Sequence, residues 1–446
     1  MTKTENKVAD ANRVAFMLRA LRFRNYRLFF GGQIVSLIGT WMTNIATSWL
    51  VYRLTGSALL LGVIGFSGQL PTFLVLPFAG TYVDRANRHR LLIGTQIFSM
   101  AQSFALAGLT LSGQITIPWL LVLSAFQGVV NAFDMPCRQA FVVQMIDKKE
   151  DLGNAIALNS SMFNAARIVG PAIAGALIAV VGEGWCFFVD GVSYLAVIAA
   201  LMAMTITAHQ PRRRPRTSGL TELREGLSYS LKSQPIRSLI GLIALFGLMG
   251  IPYVVLMPVF AAEILHGGPH TLGYLMTAAG AGALTGGLWL ASRRSVLGLG
   301  RIISLAATAF GAGLVAFSFS RQLWLSLVCL TIGGCGFMVQ MAGSNTILQT
   351  IVDDDKRGRV MSLFVMAFIG TAPFGSLLAG SVSHEIGVPH TLLISGISCI
   401  AGAFWFYRQL PEIRNAVRPI YRRLGILPEI ATGIDTASEI PTPLEE

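Results

Sequence analysis

The chain has 446 residues and a net charge of +12; 53% of the residues are hydrophobic and only 13% are Asp, Glu, Lys or Arg. A soluble chain of this length would form about three domains. Apolar runs long enough to cross a ~30 Å hydrocarbon core instead recur along nearly the whole chain. These totals exclude an ordinary soluble protein and predict a polytopic membrane protein.

The apolar runs predict an all-α integral membrane protein with twelve transmembrane helices. The first six spans are predicted at 28–52, 59–83, 91–111, 117–137, 156–181 and 185–207. The second six are predicted at 237–261, 272–291, 302–320, 323–348, 361–383 and 391–409.

The positive charge follows the loops on one side of the membrane. With the N-terminus placed inside, 31 of the 34 Lys and Arg residues fall in cytoplasmic segments, and only Arg53, Arg167 and Arg321 do not. Cytoplasmic loops of membrane proteins carry such an excess. We therefore predict a multi-pass protein of the cell membrane with both termini cytoplasmic. The charge reports topology and contact with membrane lipid, and nucleic acid is not a predicted partner.

The longest inner segment, 208–236, contains PRRRPR at 211–216 and then Leu220, Leu223, Leu227 and Leu231 at helical spacing. This pattern predicts a linker with an amphipathic helix at the cytoplasmic interface. The predicted divisions are an N-terminal cytoplasmic segment 1–27, a six-helix bundle 28–207, the cytoplasmic linker 208–236, a second six-helix bundle 237–409 and a cytoplasmic tail 410–446.

An internal repeat supports two pseudo-symmetric bundles. A shift of 205 residues places Gly128 on Gly333, Gln144 on Gln349, Ile146 on Ile351, Gly170 on Gly375 and Gly175 on Gly380. Two similar six-helix halves around a central cavity are a secondary-transporter architecture.

Enzyme and metal signatures are missing from the sequence. No G-x-x-x-x-G-K-[ST] stretch predicts an ATP site. The five cysteines have no C-x-x-C spacing, and His384-Glu385 is followed by a second His only at 390. We therefore predict no enzyme, no metal site and no cofactor.

The loop after span two reads GTYVDRANRHR, with Gly80, Asp84, Arg85, Arg88 and Arg90 in the pattern G-x-x-x-D-R-x-x-R-x-R. This pattern resembles the loop motif of the major facilitator superfamily. In that motif a Gly ends span two and an Asp-Arg pair begins the turn. Where this chain has an Asn at position 87, the superfamily often has a second Gly.

The resemblance implies a gate at this loop. A helix N-terminus carries about half a positive charge, so we expect Asp84 to dock at the start of span eleven, near Val360, when the inner side is closed. The alternative is that Asp84 only caps its own turn. Asp134 and Arg138, at the inner end of span four, are predicted to form a gate or an interfacial pair.

Span five contains ARIVGPAIAGAL, with Gly170, Pro171 and Gly175. Pro removes a backbone hydrogen bond and kinks the helix, whereas Gly lets a neighbouring helix approach. In this position the three residues resemble the exporter-associated motif of the superfamily. The surrounding sequence is similar to the branch of siderophore and drug exporters that includes the enterobactin exporter. The resemblance covers most of 22–410.

Charges inside spans are candidates for substrate or coupling contacts. Arg167 lies near the midplane, where a charge costs roughly 2.5–3.5 kcal/mol, so we expect it to contact substrate, a coupling carboxylate or neighbouring helices. Asp190 lies near the outer side, either as a buried proton carrier or as an aspartate hydrated through the cavity. Span four has Ser124 where proton antiporters of the superfamily often have Arg, and span one lacks an acid. The remaining candidates are Asn44, Trp41, Gln127, Asn131 and Asn164.

The pattern as a whole favours a monomeric secondary transporter that exports small amphipathic organic molecules with proton coupling. One alternative is an uptake permease for a polar metabolite, and another is a non-transporting membrane sensor or scaffold. Trp41, Trp49, Met42 and Phe163 would favour a broad apolar substrate if they face the cavity.

Overall fold

The structure, a computed structural model, describes residues 18–146, 148–205, 219–293 and 295–423. The Arg/Pro-rich part of the predicted linker, most of the N-terminal segment and the end of the tail lie outside these ranges. So do the side chains of Leu220 and Leu223.

Twelve long helices, α1 to α12, account for most of the described chain. The first six are α1 Arg24–Thr55, α2 Ala58–Val83, α3 Arg88–Leu111, α4 Ile117–Val142, α5 Lys149–Val181 and α6 Glu183–Met202. The second six are α7 Gln234–Ile264, α8 Pro269–Ala291, α9 Leu299–Phe319, α10 Leu323–Ile351, α11 Asp354–Ile386 and α12 Val388–Arg423. A short linker helix, Gly219–Lys232, lies between the two sets.

Eleven of the long helices are both long and apolar enough to cross a membrane. The twelfth, α8, has 23 residues and is therefore ~34 Å long. It contains no Asp, Glu, Lys or Arg, but its five glycines lower its hydropathy. The described helices confirm the predicted all-α fold of twelve spans.

Several helices extend beyond the predicted spans. Helix α5 begins at Lys149 rather than at 156, and α12 continues to Arg423, 14 residues past the predicted end of span twelve. The apolar pattern marks only the part of a helix inside the hydrocarbon layer, and a helix can continue beyond it into the polar interface. The segment predicted as a cytoplasmic tail from 410 therefore begins as a helix.

The odd-numbered helices begin at one end of the bundle, which we call the basic end. It contains a 3₁₀ turn at Arg19–Arg22, the loop between α2 and α3, and the linker helix. The opposite end is the far end. At the basic end Asp151 of α5 is buried and forms ion pairs with Arg19, at 3.0 Å, and with Arg22, which fix the 3₁₀ turn on α5.

The linker helix packs on the start of α11. Glu225 and Arg359 form an ion pair at 2.9 Å, and a Cβ on Gly226 would lie 3.2 Å from the Arg359 Cβ. The Leu227 and Leu231 side chains are exposed. The helix thus turns one face to the bundle and leaves an apolar face uncovered.

Two glycine contacts join the halves near the far end. A Cβ on Gly380 of α11 would lie 2.8 Å from both the Ala58 carbonyl oxygen and the Gly62 Cα of α2. A Cβ on Gly175 of α5 would lie 3.1 Å from the Gly273 Cα of α8. These glycines permit backbone-to-backbone packing between halves. We call the two contacts the glycine seams.

The glycines of the internal repeat have matching positions in the two halves. A Cβ on Gly170 would lie 2.5 Å from the Trp41 Cβ of α1, and a Cβ on Gly375 would lie 2.3 Å from the Leu248 carbonyl oxygen of α7. Each of these two glycines therefore packs its helix on the first helix of its own half. The other matched pair, Gly175 and Gly380, forms the seams.

The third predicted glycine match is wrong by one residue. A Cβ on Gly128 would lie 2.2 Å from the Gly68 carbonyl oxygen, where α4 meets α2. The equivalent contact of α10 with α8 is made by Gly334, whose Cβ would lie 2.1 Å from the Ala279 carbonyl oxygen. A Cβ on Gly333, the residue matched by the sequence shift, would meet no atom closer than 3.8 Å.

Gly380→Leu is predicted to open the α2–α11 seam. Overpacking at a close contact costs about 1–3 kcal/mol, which corresponds to a shift of roughly 5- to 150-fold away from the state described here. Spin-label distances between the far ends of α2 and α11 measure this shift. Gly31→Leu is the control, because a Cβ on Gly31 would meet no atom within 4 Å. An unchanged distance distribution in Gly380→Leu would contradict the role of the seam.

Candidate functional site

Arg167 lies where the two halves meet. It is 14 residues before the far end of α5, or ~21 Å along the helix. A Cβ on Gly280 of α8 would lie 3.2 Å from the Arg167 carbonyl oxygen. The Thr277 hydroxyl of α8 donates to the Ile168 carbonyl at 3.1 Å. The helix segment that carries Arg167 therefore forms part of the α5–α8 contact.

The guanidinium of Arg167 contacts the first helix of each half. Its Cζ lies 6.0 Å from the centroid of the Trp41 ring on α1, within the range of a cation–π interaction. Tyr253 on α7 lies close enough to the guanidinium for an electrostatic interaction. Among the ion pairs of the described residues, none places a carboxylate on Arg167. This positive charge is held by aromatic groups and a hydroxyl.

An aromatic side chain lies next to Arg167 on the side of the basic end. Phe163 is one turn earlier in α5, is 47% exposed and packs edge-on against Trp41 with ring centroids 5.8 Å apart. Asn164 donates to the Ser160 carbonyl at 2.9 Å, while its own side-chain oxygen is buried without a partner. We call this group of four residues the Arg167 cluster: Arg167, Trp41, Phe163 and Tyr253.

Other predicted contact residues lie outside this cluster. Met42 and Trp49 are 2% and 9% exposed and belong to the hydrophobic core, so they do not supply an apolar lining. Asn44 is exposed on α1. The Gln127 amide on α4 donates to the Ser99 hydroxyl at 3.0 Å and to the Asn131 side-chain oxygen at 3.1 Å. Gln127 is therefore engaged inside the first half.

Asp190 lies in the interior of the first half. It is 1% exposed, and its Oδ2 accepts hydrogen bonds of 2.8 Å from Thr43 of α1 and from Ser103 of α3. A Cβ on Gly39 of α1 would lie 2.5 Å from its Oδ1. The alternative of an aspartate hydrated through the cavity is therefore wrong, because three helices enclose the carboxyl group.

Asp134 and Arg138 form an ion pair within α4 near the basic end. Asp134 is 3% exposed and also accepts from Thr95 at 2.9 Å and from Gln96 at 2.7 Å, both on α3. The pair joins α3 to α4 inside one half and, in this state, does not bridge the two halves.

The loop motif is open to solvent at the basic end. The Asp84 side chain is 66% exposed, and its carboxylate lies 3.5 Å from the guanidinium of Arg88 at the start of α3. The Asn87 side chain accepts from the Arg90 backbone N–H at 3.2 Å and caps α3, which is a role that Gly could not fill. Arg85 is exposed. A Cβ on Gly80 would meet no atom within 4 Å.

The expected docking point for Asp84 near Val360 is wrong. Helix α11 begins at Asp354, and the backbone N–H groups of Lys356 and Arg357 already donate to the Asp353 carbonyl, so the N-terminal end of the helix lies before Val360. Val360 is already inside the helix and fully buried.

Two contacts were missed by the sequence analysis. Tyr253 follows Gly250-Ile251-Pro252, next to a π-helical turn at Phe246–Gly250. Interruptions of a span by Gly and Pro indicate binding sites in transporters, and that signal could have identified Tyr253. At the far end the Tyr52 hydroxyl donates to Glu263 at 3.1 Å and links α1 to α7; no sequence signal marks this pair.

Comparison with known proteins places the chain in a family. Residues 17–431 match the family model described as transmembrane secretion effector. The staphyloferrin A transporter of Staphylococcus aureus is 27% identical over 391 residues, which cover 87% of this chain and 97% of the relative. Macrolide efflux protein A of Streptococcus pyogenes is 25% identical, with 85% and 96% covered. The multidrug efflux pump Tap of Mycolicibacterium fortuitum is 26% identical, with 80% and 88% covered.

Solved transporter structures share the fold. A bacterial homologue of the human lysosomal transporter Spinster has a TM-score of 0.68 at 13% identity, with 88% of this chain and 98% of that chain covered. The nucleoside transporter NupG has a TM-score of 0.65 at 13% identity, with 87% and 99% covered. The chain therefore belongs to the transmembrane secretion effector family of major facilitator transporters and is a multi-pass protein of the cell membrane that transports a small molecule.

Proposed function

We propose that the protein exports small amphipathic organic molecules, drug-like or siderophore-like, by alternating access driven by protons. The observation that carries this proposal is the Arg167 cluster. It combines a positive charge that has no carboxylate partner among the described ion pairs with an exposed aromatic ring, at the contact between the halves. Such a surface suits a molecule with one apolar face and one acceptor or anionic group.

The arrangement of the halves supports alternating access. The glycine seams join the halves near the far end, whereas the ion pair of Asp84 at the basic end is with Arg88 of the same half. With the basic end in the cytoplasm, as the Lys and Arg distribution favours, this state would load substrate from the cytoplasm. An exporter must bind its substrate in that state.

The names of the relatives support export over uptake. Two of the three relatives named above are described as efflux proteins, one for macrolides and one for multiple drugs. Both match more than three quarters of this chain.

Topology and assembly complete the proposal. Both termini are cytoplasmic, and the linker helix lies at the inner lipid interface with Leu227 and Leu231 toward the membrane. One chain supplies both halves of the cluster, because Arg167 belongs to the first half and Tyr253 to the second. We therefore propose that a monomer is the working unit, with the divisions 28–207 and 237–409 as its two moving bundles.

Export is tested by cellular accumulation. Expression should lower the steady-state accumulation of at least some amphipathic compounds in a panel that includes ethidium and erythromycin, and a protonophore should abolish the difference. Cells carrying the empty vector are the control. Faster energised uptake of a polar solute would instead support a permease and contradict export.

Arg167 is expected to matter more to transport than to insertion. Arg167→Ala removes a charged donor whose hydrogen bonds are worth roughly 1.5–3 kcal/mol, so transport should fall about 10- to 150-fold at near-normal membrane levels. Arg167→Lys keeps the charge but loses the planar donor fork and should be intermediate. Efflux assays normalised to membrane protein measure both. Normal transport by well-expressed Arg167→Ala would exclude the proposed role.

Asp84 is proposed to dock at the first turn of α11 when the basic end closes. The interaction of a carboxylate with a helix N-terminus is worth on the order of 1 kcal/mol, so Asp84→Asn should favour the state described here about fivefold and slow turnover. Spin-label distances between the α2–α3 loop and the start of α11 measure the two states. Glu385→Gln, an exposed acid at the far end, is the matched charge control. An unchanged ratio of states in Asp84→Asn would defeat the gate.

A further inference from the structure

Four carboxylates in the described part of the chain are nearly inaccessible, and all four belong to the first half. They are Asp134 (3% exposed), Asp151 (4%), Glu183 (4%) and Asp190 (1%). Three of them form ion pairs with arginine: Asp134 with Arg138, Asp151 with Arg19 and Arg22, and Glu183 with Arg53. Among these buried carboxylates, Asp190 alone has no ion pair to a described residue.

The contacts of Asp190 are polar but uncharged. Thr43 and Ser103 both donate to Oδ2, while Oδ1 is buried and has no hydrogen-bond partner. The titratable groups closest to it, Cys186 and Tyr194, lie one turn away on its own helix. Helices α1 and α3 present Gly39, Thr43 and Ser103 to it, none of which is charged.

The absence of a cation decides the charge state of Asp190. Moving an ionised carboxylate out of water costs several kcal/mol unless a partner charge compensates for the lost hydration. Both hydroxyl donors contact Oδ2 of Asp190, and Oδ1 receives no hydrogen bond. A group in such a position neutralises instead of remaining charged. Burial without a cation therefore favours the protonated form of Asp190 in this conformation.

Polar side chains of α3 lead from Asp190 toward the basic end. One side of that helix carries four buried polar residues: Ser103, Ser99, Gln96 and Thr95. Ser103 donates to Asp190, and Gln96 and Thr95 donate to Asp134. The distance from Ser103 to Thr95 is ~12 Å along the helix. These side chains form a polar column, which we call the α3 column, between Asp190 and the Asp134–Arg138 pair.

Helix α1 connects Asp190 to the Arg167 cluster. Gly39 and Thr43 touch Asp190, and Trp41, between them in sequence, contacts Arg167. A charge on Asp190 would require a new arrangement of α1 around the carboxylate, and the same helix forms one wall of the cluster. A proton whose affinity for Asp190 differs between the two arrangements of α1 shifts the populations of those arrangements.

We propose that Asp190 is the proton-binding site of this transporter, separate from the substrate cluster and reached from the basic end through the α3 column. This inference rests on the proposed function. In the state described here the carboxyl O–H bond breaks, the proton passes to the basic end, and α1 adjusts to the carboxylate. Substrate then binds at the Arg167 cluster on the other side of α1.

The proton itself is the probe in the first test, which needs no substrate. Infrared difference spectra of the purified protein between neutral and alkaline pH should show the C=O stretching band of a protonated carboxyl group at neutral pH. Asp190→Asn should lose that band, and Glu385→Gln, which removes an exposed acid at the far end, should keep it. Asp190→Glu should keep a shifted band. A wild-type protein without the band, or a band retained in Asp190→Asn, would overturn the proposal.

The second test separates coupling from a structural role, with ethidium and erythromycin as probes in proteoliposomes. Asp190→Asn, which is neutral like the protonated carboxyl, should lose accumulation driven by a pH gradient but keep exchange of labelled for unlabelled probe at saturating probe concentration, while Glu385→Gln keeps both. Loss of both activities in folded Asp190→Asn would assign it a structural role and overturn the proposal, as would normal gradient-driven accumulation. If the wild type moves neither probe, the failure belongs to the proposed export of these compounds, and the infrared result still decides the proton site.

Discussion

A carboxylate buried among packed helices stays ionised only with a partner, and this requirement organises the first half of the protein. Glu183 is buried and pairs with both nitrogens of Arg53, an exception to the positive-inside distribution, at 2.8 and 3.0 Å. Arg138 and Asp134 satisfy each other in the same way. Arg167 and Asp190 have no such partner among the described ion pairs, and they lie on two sides of α1. Because an unpaired charge inside a membrane protein is a functional hypothesis by default, these two residues define the working part of the half.

The glycine contacts allow this arrangement to change. Side chains that interdigitate across a contact resist separation, but backbone surfaces with no side chain between them can part and meet again with little repacking. The two glycine seams are such surfaces, and the repeat places them symmetrically, on α5 with α8 and on α11 with α2. The hydrogen bond from Tyr52 to Glu263 adds a polar link between the halves at the far end.

The sequence was sufficient for the fold because hydrophobic runs and loop charges depend on the membrane and not on contacts between helices. It was also sufficient to mark Arg167, since a charge in an apolar span is visible without a structure. It could not show what Arg167 touches: Tyr253 lies 86 positions later in the sequence, and nothing local pairs the two. Asp190 was selected for its charge, but its enclosure by α1, α3 and α6 depends on tertiary packing. The predicted helix ends were wrong for a simpler reason. Apolar runs stop at the edge of the hydrocarbon layer, whereas helices continue beyond it.

The central claim is that substrate at the Arg167 cluster and a proton at Asp190 weaken each other's binding through α1. Linkage makes such coupling reciprocal, so substrate binding must release a proton even without a membrane gradient. The direct measurement is the proton release from purified protein in weak buffer when a compound shown to be exported is added. About one proton should be released per bound molecule in the wild type and none in Asp190→Asn. Substrate binding by the wild type with no proton released would contradict it.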